Sequence, residues 1–284
     1  MNSAPPSSHY AFDNAAPQAG DRFANLSALY DEATCRHLDR FGIDTGWDCL
    51  EVGAGGGSIA RFMSMRVGAR GHVLATDINT DWIAGSLSAN AELRRHDIGT
   101  DPLPEAAFDV VHARAVLTFV PKRRIALNRM IAALKPNGWL LVEEMFPPIT
   151  EAWDRPDEPD VALARKARRA ITEVVRRGGG DPTFPRELPG YLAASPLADF
   201  GAEGYFVPYR TDAVAGLAKA NMDQLGDAIL EAGLMDAAEL ERYRVILNRP
   251  DCFYPASMAL ISVWGRRQTG ITCELMDRGG RRRR

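Results

Sequence analysis

No stretch of this 284-residue chain approaches the roughly 18 to 20 consecutive apolar residues that a membrane-spanning helix requires, so a helical membrane protein is not expected. Met1-Asn2-Ser3-Ala4-Pro5-Pro6 lacks a basic region followed by an apolar one, which argues against a secretory leader and for a cytoplasmic location. Cysteine is sparse. Cys35, Cys49, Cys252 and Cys273 show no Cys-x-x-Cys spacing, which speaks against a zinc site or a disulfide framework, and no metal is expected. Internal repeats and a linker long enough to mark a free second domain are also lacking. So is a basic body: the formal net charge is −3, and residues 268–284 carry five arginines against Glu274 and Asp277, leaving the rest of the chain at about −6 by difference. With no aromatic residues interleaved in the Arg281-Arg282-Arg283-Arg284 run, neither a nucleic acid nor a membrane is an expected partner.

What is present is an ordinary globular composition, 46% hydrophobic and 25% charged. Residues 1–20, rich in Ala, Pro, Ser and Asn, read as a mobile segment, and residues 268–284 as a basic, solvated tail. Phe23, Leu26, Leu29, Tyr30, Leu38 and Phe41 recur at helical spacing and stop at Gly42, giving a helix or helix pair. Residues 47–146 then alternate between the two element types. Strands fall near 48–52, 72–77, 92–96, 108–113 and 139–145, and helices near 57–67, 80–89 and 121–134. Such alternation implies a parallel sheet with right-handed crossovers. Further on, helices are expected near 160–177, 186–196, 212–232 and 236–247, with strands near 201–208 and 256–265. Asp236 and Glu239 are spaced as a capping box. Segments 147–180 and 211–250 read as insertions capping the ligand-binding edge of a domain spanning 21–267, whose ligand-binding core is 46–146. The strongly basic face of the 160–177 helix reads as solvated.

The most informative stretch is Glu51-Val52-Gly53-Ala54-Gly55-Gly56-Gly57, directly after a short apolar strand. Gly53, Gly55 and Gly57 permit positive φ and close backbone approach to a ligand, and the helix opening at Ser58 turns its free amides toward the same place. Twenty residues after Gly57 a second strand closes on Asp77, a carboxylate suited to accept both hydroxyls of a ribose. Together the two signals are far more specific than either alone.

These residues resemble the class I S-adenosylmethionine-dependent methyltransferases, in particular the small-molecule branch with an inserted helical cap. The resemblance covers about 22–146. It rests on Leu50 to Gly57, on Thr76-Asp77-Ile78, on Arg95-His96-Asp97-Ile98, on Phe108 to Arg114, and on the turn Leu134-Lys135-Pro136-Asn137-Gly138-Trp139, where Asn137 stands in place of a common glycine. It implies an α/β fold, a doubly wound and mostly parallel seven-stranded sheet with helical cap insertions, and S-adenosylmethionine as cofactor. Gly53, Ala54, Gly55 and Gly57 would make room for the methionine part and the ribose, and Asp77 would take the ribose hydroxyls. Ile78 would pack on the adenine, Asp97 would take its amino group, and His96 and the Ile98 amide would lie nearby. The Ala113 carbonyl would receive the ammonium, and Glu51 would brace the loop and reach the same group. Asp109 would fix its strand. Tyr30, with Tyr10, Phe12 and Phe23, would belong to a lid over residues 8–30 that orders on binding.

The expected reaction is methyl transfer to the oxygen, nitrogen or carbon of a small, hydrophobic acceptor. Trp153, Phe184, Tyr191, Met222, Leu225 and Tyr254 supply apolar surface in the cap regions. His112 and Glu144, at the ends of the fourth and fifth strands, are the candidate bases for an acceptor that carries a proton, with a structural hydrogen bond as the alternative for each. Two rival functions stay open: a cofactor-binding relative that no longer methylates, such as a cyclase or regulatory binder, and an NAD-dependent dehydrogenase, since Gly55 to Ala60 also fits a relaxed dinucleotide fingerprint. A homodimer is left open as the assembly state.

Overall fold

The computed structural model describes residues 11–12, 14–146, 159–207, 212–249 and 259–268. The chain runs α1 (Gln18–Arg40), β1 (Asp48–Val52), α2 (Ser58–Val67), β2 (His72–Asp77), β3 (Ala91–Arg95), β4 (Phe108–Arg114), α3 (Arg123–Ala133) and β5 (Leu134–Phe146). It continues with α4 (Pro159–Arg177), α5 (Phe184–Ala193), β6 (Leu197–Phe206), α6 (Asp212–Glu231), α7 (Ala237–Leu247) and β7 (Ala259–Arg267). The strands form one seven-stranded sheet in the order β3-β2-β1-β4-β5-β7-β6. Strands β1 to β5 are parallel, and β7 inserts antiparallel between β5 and β6. This is the expected doubly wound sheet, with the order reversing between β1 and β4, the place where such sheets open a ligand crevice.

Side chains of successive strand residues leave opposite faces, and the sheet shows it cleanly. Leu50, Val52, Leu74, Val111, Ala113, Leu140 and Val142 join one buried cluster, with α3 and α5 over them. Cys49, Val73, Ala75, Val110 and Leu141 join another, beneath α2 and the C-terminal half of α1. The middle of α1 faces a third cluster, in which Leu29 and Tyr30 pack with residues of α4, α6 and α7. α4, α6 and α7, which fall within the segments read as cap insertions, thus meet in one helical body against α1. Full burial of side chains of this size contributes about 1.5 to 3 kcal/mol each, before the entropy of ordering them is counted.

Two expectations change. Residues 80–89 form turns rather than a helix. Ile83 is nonetheless fully buried, with its side chain against the Cα of Gly57, and Gly85 (φ 76°) and Ser86 break any helical run. Residues 18–20 belong to α1, and the chain before them is seated rather than loose over its described part. Phe12 is buried edge-to-face on Phe119, with ring centroids 5.8 Å apart, and the Asn14 carbonyl accepts from Trp82 Nε1 at 2.6 Å. Of the two readings of the helical spacing that begins at Phe23, a helix or a helix pair, the single helix holds, as α1. Asn137 does adopt the left-handed conformation (φ 66°) that a glycine would otherwise supply. Asp109 accepts from the Asp48 amide and from Lys135 Nζ, both at 2.8 Å, tying β4 to the start of β1.

The capping box forms as well: Asp236 Oδ1 accepts from the Glu239 amide at 2.8 Å, and Glu239 Oε2 accepts from the Asp236 amide at 3.0 Å. Asp236→Ala should therefore cost about 1 kcal/mol, lowering the thermal midpoint by about 2 to 4 °C. A midpoint unchanged by scanning calorimetry would show that the packing of α7, and not its cap, holds that end.

Candidate active site

A cavity of about 320 Å³ opens at the carboxyl ends of β1, β2, β3 and β4. Its floor is the glycine loop. Gly53 and Gly55 hold φ of 69° and 53°, and a side chain at either would collide with Val116 or Phe23 respectively, which pack closely over the loop. Asp77 organises this loop as well as facing the cavity. Its Oδ2 accepts from the Gly55 amide at 2.9 Å and its Oδ1 from the Asn79 amide at 3.0 Å, which leaves each oxygen further acceptor capacity. Burial pushes the Asp77 carboxyl above its ordinary range, and those amides with the Arg22 guanidinium oppose the rise.

The third strand supplies the next wall. Asp97 Oδ1 accepts from the Gly99 amide at 2.8 Å, and the Asp97 amide donates to Asp101 Oδ2 at 2.9 Å, which folds the 97–101 turn. His96 is buried beneath it, with Nε2 3.3 Å from the Pro102 carbonyl and Nδ1 without a hydrogen-bond partner. Ile78 and Ile98 face the cavity from either side. The opposite wall is α1: Arg22, Phe23, Leu26 and Ser27 line the cavity together with Val116, Phe119 and Val120 from the segment after β4. Arg22 lies over the rings of Phe12 and Phe23, and its Nη2 donates to Asn14 Oδ1 at 2.8 Å.

Of the residues expected at the site, Glu51, Gly53, Ala54 and Gly55 line the cavity from the first strand and its loop. Asp77, Ile78, His96, Asp97 and Ile98 line it from the second and third. Five others do not. Gly57 caps α2 with φ 77° and leaves room for Ile83 rather than for a ligand. Ala113 is enclosed in β4, registered to Val52 and Val142, and the strand runs on so that Arg114, Ala115 and Val116 reach the cavity instead. Tyr30 is fully buried in the cap cluster, edge-on to Tyr205 at 6.3 Å.

Neither expected base reaches the cavity. Glu144 is fully buried under the 115–120 segment and accepts from the Val116 amide (3.3 Å), the Leu117 amide (2.7 Å) and Thr118 Oγ1 (2.8 Å). Burial raises its carboxyl to about 7 against the pull of those donors. His112 is fully enclosed, with Nδ1 2.6 Å from Glu51 Oε2 and Nε2 3.2 Å from Glu143 Oε2. Of that trio only Glu51 lines the cavity. Both expected bases therefore take the structural alternative, because side chains in the body of a covered sheet have no path to an acceptor. Phe184, Met222 and Leu225 are likewise buried in core clusters rather than facing the cavity, while Trp153 and Tyr254 lie outside the described residues.

Among the described residues, no group of three or more His, Cys, Asp or Glu is placed to hold a metal ion, and no helix is long and apolar enough to cross a membrane.

The contributions from α1 are not legible in the sequence as parts of a site. Phe23 and Leu26 stand there only as helix-periodic apolar positions, and nothing local says that the N-terminal turns of α1 lie over the glycine loop. The one available signal is the pair Gly55-Gly56, whose lack of side chains leaves room for an aromatic ring.

Comparison with known proteins agrees with this geometry. Residues 50–142 match a family described as a methyltransferase domain. The chain is 33% identical over 151 residues to methyltransferase str2 of Strobilurus tenacellus, covering 51% of each chain. It is 29% identical over 170 residues to the ubiquinone/menaquinone biosynthesis C-methyltransferase UbiE of Pseudomonas savastanoi pv. phaseolicola, covering 51% of this chain and 66% of that one. The chain thus spans half to about two thirds of the length of these curated relatives. In fold it is similar to phosphoethanolamine N-methyltransferase 2 of Haemonchus contortus, with 14% identity, a TM-score of 0.59, and coverage of 93% of this chain and 61% of that one. Over residues 50–142, which carry the glycine loop, Asp77 and the β1 to β5 crevice, these likenesses support a methyltransferase domain of the class I S-adenosylmethionine-dependent kind.

Proposed function

We propose that this protein transfers a methyl group from S-adenosylmethionine to a small, largely apolar organic acceptor. The observation that carries this reading is one cavity lined at once by the bare glycine backbone, the Asp77 carboxylate and the Ile78, Asp97 and Ile98 side chains. The donor set fits the cofactor. Asp77 has acceptor capacity left for a diol, Ile78 and Ile98 offer apolar walls to a purine, Asp97 has a second oxygen, and Glu51 presents a negative charge to the cationic methionine end. The His96 Nδ1 atom, buried and without a partner, is a further polar group at the adenine end.

When bound, the cofactor supplies an electrophilic methyl on a sulfonium. What the chain's own residues contribute is position and dryness. Gly53 and Gly55 admit the ligand to the backbone, Asp77 fixes its rotation, and Phe23, Leu26, Val116 and Phe119 form an apolar roof that excludes water from an in-line displacement. With His112 and Glu144 both withdrawn from the cavity, acceleration rests on alignment rather than on either of them as a proton acceptor. The apolar roof, and the similarity to a C-methyltransferase of quinone biosynthesis, support a hydrophobic acceptor.

Titration calorimetry should show micromolar binding of S-adenosylmethionine and S-adenosylhomocysteine. A screen of small apolar acceptors should then yield a product heavier by one methylene, formed only with the cofactor. Binding of NADH in place of S-adenosylhomocysteine would overturn the cofactor reading. Cofactor binding with no methylated product from any acceptor pool would instead make the chain a binder or cyclase.

A further inference from the structure

His112 does not touch the cavity, yet three neighbouring strands converge on it. Register places it directly beside Glu51 of β1, while Glu143 of β5, paired with Arg114, lies one step diagonally along the same face. The imidazole bridges the two carboxylates, at 2.6 Å to Glu51 and 3.2 Å to Glu143, and all three side chains are at most 4% exposed. An imidazole between two carboxylates donates through both nitrogens, which requires the imidazolium form. Glu143 is held independently: Ser262 Oγ of β7 donates to it at 2.6 Å, and Thr34 of α1 donates to its other oxygen. Arg114 closes the cluster, reaching Thr34 Oγ1 at 2.9 Å and Asp31 at 2.7 Å on α1. Within this cluster Glu51 and Arg114 line the cavity, and Glu51 is the one carboxylate of the cluster that does so.

We propose that His112 is a positioning residue: as an imidazolium anchored by Glu143, it keeps the cavity-facing carboxylate of Glu51 ionised and oriented toward the ammonium of the cofactor's methionine end. The inference rests on the S-adenosylmethionine reading of the cavity. Its physical basis is that a buried carboxylate without a cation takes up a proton. Burial already raises Glu51 above the ordinary carboxylate range, and the charge and hydrogen bond of His112 are the largest forces opposing that rise, with Arg114 adding to them and Glu143 working against them. The histidine itself is lowered by burial, but Glu51 and Glu143 outweigh this and hold it up to about 9, so it stays charged through neutrality. The other ionisable groups facing the cluster are Asp31, Cys35, His37 and Tyr30 on α1, the thiol and the phenol both kept neutral by burial, and Glu203 of β6, whose carboxylate lies 3.8 Å from His37 Nε2. His37 is held neutral by burial and so adds no second cation.

The test compares two probes by calorimetry: S-adenosylhomocysteine, which has the ammonium, and 5′-methylthioadenosine, which keeps the adenosine and the thioether but lacks the amino-acid end. In His112→Gln, S-adenosylhomocysteine should weaken by about tenfold near pH 8 and by about a further tenfold near pH 6, as the unsupported Glu51 takes up a proton. Methylthioadenosine should be unaffected at either pH. Wild-type affinity for both probes should be flat over the same range. Glu51→Gln should reproduce the selective loss without the pH dependence. Because His112→Gln leaves two buried carboxylates facing one another, the double variant His112→Gln/Glu143→Gln, which removes one of them, is expected to fold and to show the same selectivity.

Equal weakening of both probes, or of neither, would overturn the role given to His112 while leaving the cofactor reading intact. Unfolding of both variants by circular dichroism would overturn it too, assigning the histidine to the fold alone. Failure of the wild type to bind either probe would remove the cofactor reading and this inference with it.

Discussion

Asp77→Ala is expected to weaken S-adenosylhomocysteine binding by about 1.5 to 3 kcal/mol, roughly ten- to more than a hundredfold, with the fold retained. The effect has two sources. A charged acceptor is removed from the ribose hydroxyls, and the Gly55 amide loses the oxygen that holds it at 2.9 Å, so the glycine loop loses a fixed point at the moment the ligand needs it rigid. Asp77→Asn separates the two. An asparagine oriented to accept from the Gly55 amide keeps the loop but offers the ribose a neutral group, so its loss should be smaller than that of alanine. Titration calorimetry on both variants measures the split, and unchanged affinity in Asp77→Ala with intact circular dichroism would remove Asp77 from the site.

Glu144→Ala should destabilise the fold far more than Asp236→Ala, costing on the order of 3 kcal/mol or more, because it leaves the Val116 and Leu117 amides and the Thr118 hydroxyl buried without their acceptor. Glu144→Gln keeps an acceptor and should be far milder, with methyl transfer retained because the residue does not face the cavity. The pH dependence has a definite sign. Folding raises the Glu144 carboxyl from 4.5 to about 7, so the native state holds a proton that the unfolded chain has released. The resulting stability is fully present below about pH 4.5 and lost as pH rises through about 7. Glu143 acts oppositely. Burial would raise it, but His112, Arg114 and Ser262 bring it down to about 2, so its contribution is present above about 4.5 and lost as pH falls toward 2. Urea denaturation of Glu144→Gln between pH 5 and 8 should therefore show a flatter stability profile than the wild type, and identical profiles would contradict the assignment.

Sequence alone displays the elements whose reasons are local. The strand before Gly53, the positive-φ glycines, the carboxylate closing β2 and the capping box at Asp236 each depend on a few adjacent residues, and each lies where the pattern places it. The helix expected at 80–89 fails because Trp82, Ile83 and Leu87 mimic a helical period while being placed by distant partners: Gly20 for the indole and Gly57 for Ile83. Residues 11–20 read as loose because their composition is poor in apolar groups, yet Phe12 and the Asn14 carbonyl each meet a partner more than 60 positions away. His112 and Glu144 are legible as strand-end polar residues but not as buried ones. Whether such a residue faces a crevice or a covering helix depends on strand order and register, and the alternation that puts Glu51, His112 and Glu143 on one face becomes visible only once β1, β4 and β5 are known to be neighbours.

The place of β7 bears on how the molecule assembles. Of the seven strands described it is the last in chain order, yet it lies inside the sheet, joined to β5 along eight residue pairs from Trp139↔Arg266 to Phe146↔Ala259 and to β6 on its other side. Until it docks, β5 presents an open edge and Glu143 lacks the Ser262 hydroxyl. The N-terminal crossovers can collapse during synthesis, whereas sheet closure must wait for a contact spanning more than 110 residues, which slows the final step and exposes the nascent edge to aggregation. The Ser262 hydroxyl that completes the ion cluster beneath the cavity thus arrives only with the closure of the sheet, which ties the finished cluster to the finished sheet.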